Sequence, residues 1–236
     1  MNALTSPEPA HVAASVAPPI MQADSLYRFF RAGDEQVQAL RGVTLALSPG
    51  ELVAVVGPSG SGKSTLLACL GGLDEPDGGT VRVAGQRITS QPEPARARLR
   101  ALHIGFLYQD RNLFAHLTVQ QNIELTQRIA DRAGPSHPGV LLASLGMTER
   151  ARAYPDELSG GELVRAGVAV ALANDPGIVL ADEPTGELDT ASEAAVLANL
   201  RDRAATGTAI LIASHSPTVA AAADRVITLD DGQLVP

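Results

Sequence analysis

The sequence predicts an α/β protein, and three observations predict it. An apolar, β-branched run over 52–56 passes directly into a glycine-rich loop and then into a helix over 64–70. A second apolar run, 177–181, ends in the adjacent carboxylates Asp182 and Glu183. Strand-like and helix-like runs alternate through the rest of the chain, punctuated by Pro92, Pro135, Pro138 and Pro155.

In chain order, 43–47 reads as a strand, then 52–56, then 80–84, each apolar and rich in β-branched residues. Residues 105–108 form a short apolar strand. The segments 119–132 and 139–145 read as helices, and so do 161–174 and 191–204, which are long and alanine- or leucine-rich. Strands over 177–181, 209–213 and 225–229 complete the layout. No internal repeat is evident.

The loop after the first central strand carries the most specific chemistry. Gly57, Ser59, Gly60, Ser61, Gly62, Lys63, Ser64 and Thr65, with Pro58, complete the pattern GxxxxGK[ST] in its required strand–loop–helix setting. The glycines let backbone N–H groups approach phosphate oxygens, and the helix start adds positive potential on the same side. Lys63 adds a full charge for β- and γ-phosphate oxygens, and the Ser64 hydroxyl is placed to ligate Mg²⁺. The loop therefore predicts a nucleoside triphosphate site. Asp182 suits the Mg²⁺-linked position at a strand tip, and Glu183 suits the base that orients an attacking water.

A second glycine-rich loop, Leu158-Ser159-Gly160-Gly161-Glu162, opens a helix far along the chain. With it the sequence resembles the nucleotide-binding subunit of ABC transporters over nearly all of 25–235. Phe106-Leu107-Tyr108-Gln109 resembles the family's Q-loop, Glu187-Leu188-Asp189 its D-loop, and Ser214-His215 its switch histidine. Phe30 stands where the adenine-stacking aromatic falls, although Tyr27 and Phe29 are nearby rings that could take that place.

The resemblance implies a P-loop NTPase with a RecA-like core, an N-terminal antiparallel β subdomain and an inserted helical subdomain over 110–156. It implies ATP and Mg²⁺ as cofactors, with Ser64, Gln109 and Asp182 toward the metal. Lys63, Gln109, Glu183 and His215 would carry the reaction. It also implies that Ser159, Gly160 and Gly161 face the γ-phosphate held by a second nucleotide-binding subunit, so that two chains sandwich two ATP molecules. Asp189 would cross that seam, and it also suits the cap of the helix that follows.

Several stretches narrow the resemblance to ATPases serving macrolide-export, lipoprotein-release and FtsX-type cell-division permeases. They are Gly71-Gly72-Leu73-Asp74, Ile104-Gly105-Phe106, Asn112-Leu113-Phe114 with Leu117-Thr118, and 180–186. Departures from the family pattern are Leu163 and Val164 after the signature, Val170 in its helix, and Gly186-Glu187 at the start of the D-loop. They leave the phosphate ligands intact and alter the polar surroundings of the signature helix.

Composition agrees with this setting. Of 236 residues, 45% are apolar, enough for a large core, and the net charge of −8 argues against a nucleic-acid partner. Cys69 is the only cysteine, so no intrachain disulfide forms, as suits a cytosolic protein. No apolar run reaches the ~20 residues of a spanning helix. Residues 1–22 are Ala/Pro-rich without a basic start, and are expected to be a mobile tail and not a secretory signal.

The expected protein is an ATP-hydrolysing subunit on the inner face of the cell membrane, working with an integral membrane permease on another chain. An alternative is an ATP-driven switch that signals across the membrane and moves no substrate. Soluble relatives in DNA repair or translation carry long insertions or tandem cassettes, neither present here. An ordinary P-loop kinase needs neither Leu158–Glu162 nor the switch histidine.

Overall fold

The computed structural model describes residues 18–32, 35–110, 112–130 and 137–235. Two sheets organise it. A four-stranded antiparallel sheet has the order β2-β1-β4-β5, formed by β1 (Met21–Ala32), β2 (Glu35–Leu47), β4 (Gly78–Val83) and β5 (Gln86–Arg87). A six-stranded sheet has the order β10-β9-β3-β8-β7-β6. Its strands are β3 (Leu52–Val56), β6 (Ile104–Leu107), β7 (Ile178–Asp182), β8 (Ala209–Ala213), β9 (Arg225–Asp230) and β10 (Gln233–Val235). All its pairs are parallel except β9–β10.

The parallel strands are apolar on both faces because both faces are covered. Val53 and Val55 on β3, Ile178 and Leu180 on β7, and Leu211 on β8 point into a core shared with the antiparallel sheet and helix α1 (Lys63–Leu70). Their neighbours Leu52, Ala54, Val179, Ala181, Ile210 and Ile212 point into a second core. That core includes residues of helices α3 (Val119–Ile129), α4 (Pro138–Ser144), α5 (Gly160–Ala171) and α6 (Thr190–Ala205). Truncating a fully buried side chain here, such as Leu211→Ala, removes about 2–5 kcal/mol.

The sequence reading underestimates the antiparallel sheet for a definable reason. Along β1 the buried residues are Met21, Ala23 and then Leu26. An irregularity between Ala23 and Leu26, where Ser25 has φ 49°, moves the apolar phase from odd to even positions. Leu40 and Val43 on β2 show the same phase change across Gly42. A period-two search breaks at both points.

Helix α2 (Glu93–His103) also escapes the sequence reading, because Pro92 and Pro94 flank its first residue. Pro92 is the cap and Pro94 lies in the first turn, where no backbone donor is needed. The short helix α7 (Pro217–Ala222) escapes it likewise, and Pro217 stands in its first turn.

Of the tail expected over 1–22, residues 1–17 lie outside the described residues. Met21 and Gln22 do not belong to a tail: they pair with Leu47 and Ala46, and Met21 is fully buried. The end of the helix expected over 119–132 also lies outside the described residues, which carry α3 to Ile129. Among the described residues no helix is long and apolar enough to cross a membrane.

Candidate functional site

The glycine-rich loop emerges from β3 and opens α1. Gly62 is the helix cap with φ 104°, and a Cβ there would strike the carbonyl of Ala39 on β2. At Gly57 an added Cβ would collide with the carbonyl of Leu229 on β9. These two positions require glycine because the loop is wedged between strands of both sheets. Ser61 is buried, its Oγ without a hydrogen-bond partner. Lys63 is also buried and its Nζ donates to the carbonyls of Gly57 at 2.9 Å and Pro58 at 3.1 Å. The loop thus holds its cation in place before any ligand is considered.

A cleft of about 740 Å³ lies over this loop. Besides Gly57, Ser59, Gly60, Gly62, Lys63, Ser64 and Thr65 it is bordered by Phe30, Gln109, Glu183 and His215. Residues separated by more than 180 positions meet there. Sequence reasoning did not assign Ala39 and Gly186, which also line it.

Phe30 borders the cleft and is half exposed, whereas Tyr27 lies against Gly42 and Gly78. Of the two, only Phe30 lines the cleft. Arg28 holds it: its guanidinium sits 4.7 Å from the ring centroid. The same group binds both oxygens of Asp74, at 2.7 and 2.8 Å, and Asp77 at 3.0 Å. The hydrogen bond to Asp74, and after it that to Asp77, raises the Arg28 pKa further above its already high ordinary value.

Glu183 follows β7 with φ 46°, a left-handed conformation costing a non-glycine residue on the order of 1 kcal/mol. Its N–H donates to Ala213 on the adjacent β8 at 2.9 Å. Its Oε2 accepts from Ser214 Oγ at 3.2 Å and His215 N–H at 3.4 Å, and lies 3.0 Å from His215 Nδ1. The carboxylate and imidazole are therefore neighbours at the cleft rim, the histidine largely exposed and the carboxylate mostly covered.

Asp182 Oδ1 is buried with no hydrogen-bond partner, and Asp182 lines a small cavity together with Ser64 and Tyr108. Ser64 borders the large cleft as well. An orphaned carboxylate oxygen beside a hydroxyl fits a hard divalent cation such as Mg²⁺, whose remaining ligands would come from phosphates and water. Among the described residues no three His, Cys, Asp or Glu side chains gather to hold a metal by themselves.

Gln109 follows β6, and its Nε2 donates to Glu187 Oε1 at 3.4 Å. The D-loop glutamate that departs from the family pattern thus meets the Q-loop amide. Behind Gln109, Tyr108 stacks on Phe106 with centroids 5.7 Å apart. Its backbone is clamped by Asn112, which accepts from Tyr108 N at 2.7 Å and donates to its carbonyl at 2.6 Å.

Ser159, Gly160, Gly161 and Asp189 do not line this cleft. Ser159 caps α5 in a reciprocal box: Glu162 N–H donates to Ser159 Oγ at 3.3 Å, and Ser159 N–H donates to Glu162 Oε2 at 2.9 Å. The Ser159 N–H, Arg150 at 2.8 Å from Glu162 Oε1, and the Ser159 hydroxyl hold the Glu162 carboxyl down at about 2. Asp189 caps α6, accepting from the N–H groups of Ala191 and Ser192, and those bonds lower its pKa. Of the departures from the family pattern, Val164 is buried in the second core and Leu163 is exposed.

The family model described as ABC transporter matches residues 40–186. The macrolide export ATP-binding/permease protein MacB of Escherichia coli is 44% identical over 223 residues, and that of Shigella flexneri 45%. Each match covers 92% of this chain and 34% of the relative, so the chain spans about a third of the length of the curated relatives it matches. The structure also resembles the dimeric bacterial ABC transporter cassette MJ0796, with a TM-score of 0.83 and 33% identity. A dimer of the same cassette in a post-hydrolysis state bound to ADP and Pi gives 0.84 and 32%. Both comparisons cover 92% of this chain and 97% of the other.

Proposed function

Because this chain belongs to the ABC transporter family, we propose that it is the ATP-binding and ATP-hydrolysing subunit of an export complex with a membrane permease. The observation that carries the reading is the convergence of the phosphate loop, Phe30, Gln109, Glu183 and His215 on one cleft. In the proposed reaction the Gly57–Thr65 loop and Lys63 bind the triphosphate, and Phe30 stacks on the adenine. Glu183 orients the water that attacks the γ-phosphorus, and His215 holds the γ-phosphate and that water in line. Mg²⁺, held by Ser64, Gln109 and Asp182, would neutralise charge on the phosphate oxygens.

One chain supplies these groups, and the proposed second subunit supplies Ser159, Gly160 and Gly161 to the same nucleotide. The MJ0796 cassettes are dimeric, which supports this arrangement. The N–H groups of Gly160 and Gly161 at the start of α5 suit an anion. ATP binding would close two chains around two nucleotides, with Asp189 at the seam, and hydrolysis would reopen them.

The proposed permease contact is the helical segment over 110–156, acting with the Gln109 loop. An apolar groove of about 360 Å³ supports this, bordered by Leu73, Phe106, Ile129 and Val170, with Ile129 70% exposed. The subunit would then sit in the cytoplasm against the inner face of the membrane. No nucleic acid enters this reading, in keeping with the net charge of −8.

The test is reconstitution with the candidate permease in vesicles. ATP-dependent movement of a substrate supports the export reading. ATP hydrolysis by the complex without movement of any tested macrolide or lipopeptide favours the signalling switch. Absence of ATP hydrolysis by the complex overturns both.

A further inference from the structure

Thr185 after β7 and Glu193 in the first turn of α6 are buried and take no part in the site described above, whereas Ser214, buried just after β8, donates to Glu183 there. A buried carboxylate must recover inside the protein the hydrogen bonds that water would have given it. Glu193 does so with one oxygen. Its Oε1 accepts from Thr185 Oγ1 at 3.0 Å and from Ser216 Oγ at 2.8 Å. Ser216 N–H donates to Ser214 Oγ at 3.0 Å, and Ser214 Oγ donates to Glu183 Oε2 at 3.2 Å. Thr185 lies two residues beyond Glu183 on the same turn. The bonds therefore close a ring through Glu183, Ser214, Ser216, Glu193 and Thr185.

We infer that Glu193 is a positioning residue for the Glu183–His215 pair, tying α6 at once to the turn that bears Glu183 and the loop that bears His215. This rests on the proposed role of that pair in ATP hydrolysis. Glu183 occupies a left-handed conformation, which a non-glycine residue keeps only where its surroundings over-determine it. The ring supplies that constraint. Its bonds run to the turn on one side and to the Ser214–Ser216 loop on the other, so loosening either end shifts the carboxylate relative to the imidazole. Glu193 itself does not line the cleft. It therefore acts on turnover and not on nucleotide affinity.

The atoms dictate the variants. Glu193→Gln keeps an Oε1 that accepts from both hydroxyls. Glu193→Ala removes it. Thr185→Val removes only one donor and keeps the shape of the side chain. Steady-state ATPase of each folded protein is measured with varied MgATP, alongside a thermal melt.

Glu193→Ala should lower kcat ~10-fold with KM changed less than ~2-fold, since misplacing a reacting group costs rate more than binding. Thr185→Val should show the same split to a smaller degree, and Glu193→Gln should retain most of the wild-type kcat. Wild-type kcat in both Glu193→Ala and Thr185→Val would overturn the inference. So would a Glu193→Gln protein as impaired as Glu193→Ala, or losses that fall on KM and kcat together. If Glu193→Ala does not fold, the Thr185→Val and Glu193→Gln results decide by the same criteria. A wild-type protein that hydrolyses no ATP, alone or with its permease, would instead sink the functional reading on which the inference stands.

Discussion

Lys63 Nζ lies 2.9 Å from the carbonyl oxygen of Gly57, so the cation of the phosphate loop is bonded to the loop's own backbone. A second bond, to Pro58, fixes it further. Phosphate oxygens must displace or share these neutral acceptors, and they compete because they set a full negative charge against the ammonium.

Lys63→Ala should therefore weaken ATP binding by roughly 10–100-fold, the range for losing a hydrogen bond to a charged group, and stop turnover. Lys63 is the only lysine in the chain, which gives a direct check. An amine-reactive reagent can modify only Lys63 and the N-terminus, and mass spectrometry separates the two. MgATP should protect Lys63 and leave the N-terminal amine reactive. Equal labelling with and without nucleotide would place the phosphates elsewhere.

Glu183→Gln keeps the side chain's shape and an oxygen for Ser214 while removing the base. Phosphate release under multiple turnover should drop ~10²–10⁴-fold, with ATP still bound. The variant should accumulate as an ATP-bound dimer, visible as a doubled mass in light scattering. Turnover at the wild-type rate would remove Glu183 from the reaction.

Ser159→Arg tests the sharing of sites between chains. Ser159 does not line the cleft of its own chain, so ATP binding to the monomer should persist while ATP-driven dimer closure fails. Mixing this variant with Lys63→Ala protein combines both lesions in one site and leaves the other site of the mixed dimer intact. Part of the ATPase activity should return as the two inactive proteins are titrated together. A Ser159→Arg protein that dimerises with ATP and hydrolyses normally would refute the shared site.

The Ser159–Glu162 cap carries a pH signature. Its carboxyl is held at about 2 in the folded chain, below the ordinary 4.5. The ionised form is favoured by folding, so the contribution to stability is complete above about pH 4.5 and is lost as pH falls toward about 2. Glu162→Gln should lower the thermal midpoint at pH 7. The gap from wild type should narrow on acidification below about 4.5. A gap independent of pH would mean that the charge of Glu162 does not support the helix.

The sequence by itself determined what depends on contiguous chemistry. The spacing of Gly57, Gly60, Gly62, Lys63 and Ser64 dictates a phosphate loop, because glycines, lysine and hydroxyl act through one short stretch of backbone. The helix caps at Ser159 and Asp189 are local for the same reason. Runs such as Leu52–Val56 and Ala209–Ala213 declare buried strands, since both faces are apolar. Tertiary structure alone decided what depends on contacts between distant segments. The registers of β1 and β2 turn on bulges that change the apolar phase, and α2 starts between two prolines that elsewhere end helices. Phe30 lines the cleft, with Arg28 over its ring, whereas the nearby Tyr27 lies against Gly42 and Gly78. No spacing rule foretells that Glu187 meets Gln109, or that Glu193 accepts from both Thr185 and Ser216. Those partners are brought within hydrogen-bond reach by the parallel pairing of β6, β7 and β8, which sets their C-terminal loops side by side.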